Sequence, residues 1–106
     1  MSSDPTCTDP ELYRVLFEND RVRVLDYADE PAAMTSLHSH PDSVMVALSA
    51  FQRRITVGEH VREVDLPAGT AVWLPAQQHV GHNVGATSTH VVFVELKDPA
   101  HTQESG

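Results

Sequence analysis

Short runs of sheet-favouring residues recur along almost the whole chain, and each is closed by a turn signal within a few residues. Arg21-Val22-Arg23-Val24-Leu25-Asp26-Tyr27 alternates with period two, and Val and Tyr favour strands. Residues 44–48, 54–57, 61–66, 71–74 and 90–96 are further runs of the same kind. Between them stand Glu18-Asn19-Asp20, Glu30-Pro31, Ser49-Ala50, Gly58-Glu59, Pro67-Ala68-Gly69 and Gly85-Ala86, all turn compositions. No helical apolar stripe is sustained over about ten residues. Strands this short and this evenly spaced leave an all-β sandwich or barrel. Residues 53–57 and 61–66 predict a hairpin around Gly58-Glu59. Pro67 and Gly69 predict a tight turn into the next strand, Pro presetting φ and Gly relieving strain.

A chain of 106 residues makes one domain with little core to spare. Residues 1–12 are polar, carry Pro5 and Pro10, and are expected as a flexible arm. Residues 13–97 are the folded body, and residues 98–106 a solvated tail. The net charge is −8, the one Lys is Lys97 and the six Arg are dispersed, so no basic stripe exists to meet nucleic acid or an anionic membrane. Cys7 is the single cysteine, so no internal disulfide forms and a reducing compartment is expected. No run is long and apolar enough for a membrane helix, and Met1-Ser2-Ser3-Asp4-Pro5 lacks a signal-peptide core. The expectation is a cytoplasmic protein.

Two histidines two apart on a strand point to one face, and His38-Ser39-His40 is such a pair. Pro41 biases His40 toward extended backbone. Further on, Gly69, Pro75, His79 and Asn83 place a third imidazole on a second strand, where it could close on the first pair around one metal ion. Asn83 shares strand parity with His79 and is a candidate hydrogen-bonding partner behind it. Three imidazoles leave coordination positions open for water, dioxygen or substrate.

With these motifs the chain resembles the cupins, a family of small β-barrels of the jelly-roll or double-stranded β-helix type. Their first motif reads Gly-x5-His-x-His-x3-4-Glu-x6-Gly, which His38 and His40 match. The second reads Gly-x5-Pro-x-Gly-x2-His-x3-Asn, matched by Gly69, Pro75, His79 and Asn83. Residues 52–68 separate the two, and the resemblance spans residues 13–97. It implies a cupin barrel over residues 13–97 and a mononuclear metal site. The departures carry information. The family glutamate falls at Val44, the opening Gly at Ala32 and the closing Gly at Phe51, and Pro75-Ala-Gln-Gln-His79 is one residue short.

Without the glutamate, three neutral imidazoles leave a divalent ion its full charge, which favours a small anionic chelating substrate. Three-histidine sites in the family serve iron-dependent oxygenases, so oxygenase-type chemistry at one Fe per chain is the leading expectation. A redox-silent isomerase, lyase or cyclase using Zn, Ni or Mn is the alternative, with Cu a further possible redox metal. So is a ligand-binding module without catalysis, or a metal that merely pins two strands. Several residues are candidates at the margin. The shortened motif makes His82 a rival third ligand, and Asp42 shares parity with the histidine pair. Arg53 or Arg54, whichever faces inward, could hold a substrate carboxylate. Trp73 could line the pocket mouth, and Glu95, in an apolar strand, could act inside or cap the strand outside. Apolar edge strands on so small a barrel predict a homodimer.

Overall fold

The computed structural model describes residues 3–97. A short helix, α1 (Pro5–Thr8), precedes nine strands: β1 (Tyr13–Glu18), β2 (Val22–Asp29), β3 (His38–His40), β4 (Ser43–Ala47), β5 (Phe51–Val57), β6 (His60–Leu66), β7 (Ala71–Leu74), β8 (Gln77–Asn83) and β9 (Thr89–Leu96). They form a larger sheet in the order β1-β2-β9-β4-β7 and a smaller one in the order β3-β8-β5-β6. Every pairing is antiparallel. The all-β cupin-type architecture expected from strand spacing and motifs is the one observed.

Alternation builds the interior. Along β9, Thr89, Val91, Phe93 and Glu95 are buried while the residues between them are only half-buried. Leu25 and Tyr27 of β2, Tyr13 of β1, Ala47 of β4 and Phe51 of β5 join Val91 and Phe93 in one apolar cluster, so both sheets contribute to a single core. The predicted hairpin is present, with Phe51 through Val57 of β5 paired to Leu66 through His60 of β6. Its two-residue loop begins at Gly58, whose φ of +60° is left-handed backbone that glycine adopts freely.

Two departures concern the first eighteen residues. β1 was not expected as a strand, and its run Val15, Leu16, Phe17 is exposed without alternation because the register slips between Val15 and Phe17. The described part of the expected flexible arm is tied down. The Ser39 N–H donates to the Ser3 carbonyl at 2.8 Å, and Asp4 meets Arg23 at 2.8 Å. Asp9 accepts the Ser36 N–H at 3.0 Å, and Pro5 is buried. Residues 1–2 and the expected tail, 98–106, lie outside the described residues. Among the described residues no helix is long and apolar enough to cross a membrane.

Candidate metal centre

His38 and His40 occupy alternate positions of β3, so both rings turn inward, 0% and 4% exposed. His79 lies directly opposite His38 across the β3–β8 ladder. The ring centroids are 4.8 Å apart for His38–His40, 4.7 Å for His38–His79 and 5.2 Å for His40–His79. One nitrogen from each ring falls within 4.8 Å of the others, a spread that one ion can bridge.

The tautomers follow from what each Nδ1 meets. His38 Nδ1 is 2.7 Å from the Ser36 carbonyl, His40 Nδ1 is 2.8 Å from Glu95 Oε2, and His79 Nδ1 is 2.7 Å from Gln77 Oε1. All three partners accept, so each Nδ1 donates, and in the neutral ring the matching Nε2 is the nitrogen that keeps a lone pair. Burial pushes the His38 pKa down, and pushes His79 from 6.5 to about 3 with help from His38, His40 and Arg53. Neutral imidazole is the form that ligates metals. His40 Nε2 is buried with no hydrogen-bond partner, an acceptor that the protein leaves unsatisfied. An orphaned lone pair beside two further neutral imidazoles fits a borderline divalent ion such as Fe, Zn, Ni or Cu. Tyr13, whose hydroxyl burial keeps well above its ordinary pKa, donates to His38 Nε2 at 3.2 Å.

Glu95 corrects the strand reading, which favours an outward strand-end carboxylate. It faces inward, 2% exposed, with Oε2 on His40 and Oε1 accepting from Arg23 Nε at 3.0 Å. The residue expected at the family glutamate, Val44, is not in the cavity wall, and the inward side chains of β4 include Ser43 and Met45. After the turn at Pro41-Asp42 it is Met45, not Val44, that lines the cavity. Asp42 itself turns away and accepts the Ala76 N–H at 2.7 Å, bracing the second motif. His82 is half-buried and outside the cluster, on the opposite strand parity from His79.

A cavity of about 340 Å³ opens between the sheets, with His38 and His79 in its wall beside Met45, Phe51, Phe93 and Arg53. Of the two adjacent arginines Arg53 is inward, 7% exposed, while Arg54 lies outside in an exposed pair with Glu63 at 2.9 Å. Arg53 donates to Asp29 at 2.7 Å, to Thr89 Oγ1 at 3.2 Å and to the Tyr27 hydroxyl at 3.1 Å. Asn83 belongs to this network and not to His79. Its Nδ2 donates to Asp29 Oδ1 and to the Thr87 carbonyl, each at 3.0 Å. Trp73 is 54% exposed and lines both the cavity and an adjoining groove of about 270 Å³, which places it at the mouth.

No family model matches the sequence, and no curated protein does. Solved structures do match. A cupin domain from Bordetella pertussis Tohama I is 25% identical over 81% of this chain and 92% of its own, with a TM-score of 0.76. An RmlC-like cupin from Methanocaldococcus jannaschii with a double-stranded β-helix fold gives 0.68 at 11% identity, over 87% of this chain and 84% of its own. The polyketide cyclase RemF from Streptomyces resistomycificus gives 0.62 at 17% identity, over 79% of this chain and 63% of its own. Fold and histidine cluster together define the class: the chain has the small-cupin, double-stranded β-helix fold of these structures, with a buried three-histidine cluster inside it.

Proposed function

We propose that the protein is a metal-dependent cupin enzyme acting on a small anionic chelating substrate, with His38, His40 and His79 as the ligands of one divalent ion. The observation that carries this reading is the buried, unpartnered Nε2 of His40 beside two other neutral imidazoles whose Nδ1 protons are all committed elsewhere. A divalent ion in this position supplies Lewis-acid polarisation, and iron or copper adds oxygen chemistry. The three rings bring no negative charge, so an anionic oxygen donor from the substrate is favoured over a neutral one. Apolar walls at Met45, Phe51 and Phe93 exclude water from the reacting end. Arg53 stands in the same cavity as the hydrogen-bond donor for a second polar group of the substrate, held in place by Asp29. A volume of about 340 Å³ admits only a compact substrate.

Oxygenase-type chemistry at iron leads narrowly. A redox-silent cyclase, isomerase or lyase at zinc, nickel or manganese is the second reading, supported by the structural likeness to a polyketide cyclase. The exposed apolar edge strand β1 supports a homodimer. Elemental mass spectrometry of untagged protein tests the centre, beside His38→Ala and His79→Ala. About one divalent ion per chain, absent from both variants, is expected. No ion after anaerobic reconstitution with Fe²⁺ or Zn²⁺ refutes the proposal. Oxygen uptake with small enolisable dicarbonyl acids then separates the two chemistries.

A further inference from the structure

β9 presents Glu95 as the last inward side chain of its alternation, directly across from Arg23 on β2 and from Ser43 on β4. Its two oxygens are divided. Oε2 accepts the His40 Nδ1–H at 2.8 Å, and Oε1 accepts Arg23 Nε at 3.0 Å and lies 2.8 Å from Arg23 Nη2. The same Nη2 meets Asp4 Oδ2 at 2.8 Å. A continuous hydrogen-bonded chain, His40–Glu95–Arg23–Asp4, therefore runs from the buried ring to the N-terminal segment. A carboxylate this buried is costly unless a charge compensates it, and Arg23 supplies that charge. The nearest partners of the other two Nδ1 atoms are neutral, the Ser36 carbonyl and Gln77 Oε1, while Asp9 Oδ2 stands 3.9 Å from His38 Nδ1.

We infer that Glu95 is a positioning carboxylate of the metal centre, fixing His40 as its Nδ1–H tautomer with Nε2 turned to the other two rings, and that Arg23 and Asp4 hold Glu95 in place. The inference rests on the three histidines binding a metal. A negative charge that β4 does not supply next to the ion comes instead from β9, one residue removed. There it fixes the tautomer of His40 and limits the ring's rotation, and losing such a partner weakens metal binding by about 10–100-fold.

The test has two independent readouts on the full chain. In metal-free protein, long-range ¹H–¹⁵N NMR should report His40 as Nδ1–H in the wild type, with that preference lost in Glu95→Ala. In a chelator-competition titration, Glu95→Ala should weaken Zn²⁺ binding by about 10–100-fold. Glu95→Gln, which keeps an acceptor oxygen and the volume, should fall between the two, and Glu63→Ala at the exposed Arg54 pair should match the wild type. Should Glu95→Ala not fold, Glu95→Gln and Arg23→Gln carry the affinity comparison, and each should bind Zn²⁺ more weakly than the wild type. His40 found as Nε2–H in the wild type, or Zn²⁺ affinity unchanged in the Glu95 and Arg23 variants that fold, overturns the inference. Wild-type protein that takes up no Zn²⁺ while His40 remains Nδ1–H refutes the metal reading and leaves the positioning of His40 intact.

Discussion

Gly81→Ala is a one-methyl change whose cost can be worked from the contacts around it. A Cβ built on Gly81 would lie 2.6 Å from Arg53 Nη2 and 3.5 Å from its Cζ and Nε. The backbone at Gly81 cannot retreat easily, because its N–H donates to Thr35 Oγ1 at 2.9 Å and its carbonyl accepts the Thr35 N–H at 2.9 Å. The guanidinium must therefore move, and it is held by Asp29, Thr89 and Tyr27. The clashing Nη2 donates to Tyr27, so its displacement breaks that bond and strains the Nη1 pair with Asp29, which is 5% exposed. Losing a buried pair outright costs about 3–5 kcal/mol, which bounds the effect from above, while the lost bond from the charged Nη2 alone is worth about 1.5–3 kcal/mol. Replacing Gly by Ala returns about 0.4–1 kcal/mol through the unfolded chain. The net expectation is a loss of about 1–4 kcal/mol, or a fall in Tm of roughly 4–30 °C for a domain this size. Urea and thermal unfolding of the wild type, Gly81→Ala, Arg53→Ala and the double variant complete a cycle. In the Arg53→Ala background the methyl group should be nearly neutral or mildly stabilising. A loss below about 0.5 kcal/mol in the single variant, or the same loss with Arg53 already removed, refutes the reasoning.

Three other outcomes are expected. Ala32 has a φ of +74°, and the left-handed region costs a residue with a Cβ about 1–2 kcal/mol. Ala32→Gly should therefore gain roughly 0.5–1 kcal/mol in urea unfolding after the unfolded-chain penalty of glycine, and a destabilised variant contradicts this. Tyr13 donates to the Nε2 of His38 that a metal would need, so Tyr13→Phe removes a competitor worth about 1 kcal/mol. Its Zn²⁺ affinity by chelator competition should rise about fivefold, and weaker binding would argue that the hydroxyl supports the site instead. For pH, the folded pKa of His79 is about 3 against 6.5 unfolded, so the unfolded state takes up the proton first as pH falls. Stability of metal-free protein from this group is complete above 6.5 and is lost progressively down to about 3, by at most about 5 kcal/mol. His38 shifts in the same direction and adds to the loss. Urea midpoints that stay constant from pH 7 to pH 4 would show the rings are not buried neutral.

How much of this was readable from residues alone depended on distance along the chain. The hairpin at Gly58-Glu59 and the strands at residues 71–74 and 90–96 were legible because alternation and turn chemistry are local. The paired inward rings of His38 and His40 follow from the two-residue period, and His79 arrives opposite His38. β1 was missed because a bulge breaks the alternation that identifies a strand. Asn83 shares parity with His79 but stands four residues, about 13 Å, further along β8, which delivers it to Asp29 instead. Strand reading favours an outward Glu95 because the partners that hold it inward, His40 and Arg23, are 55 and 72 residues away. Whether a carboxylate inside a barrel is compensated is a question of tertiary contact that no local pattern answers.

The division of the centre between the sheets sets how it can be altered. All three donor rings belong to neighbouring strands of the smaller sheet, β3 and β8, and two of them face each other in register. Glu95 and Tyr13, which touch those rings from behind and beside, belong to the larger sheet. The spacing of the donors is thus a property of one ladder, while Glu95 and Tyr13 reach His40 and His38 from across the interface. A substitution on β9 or β1 changes what orients and shields His40 and His38 and leaves in place the β3–β8 register that spaces the rings. The barrel thus has a fixed frame in the β3–β8 ladder and an exchangeable backing in the larger sheet behind the same three histidines.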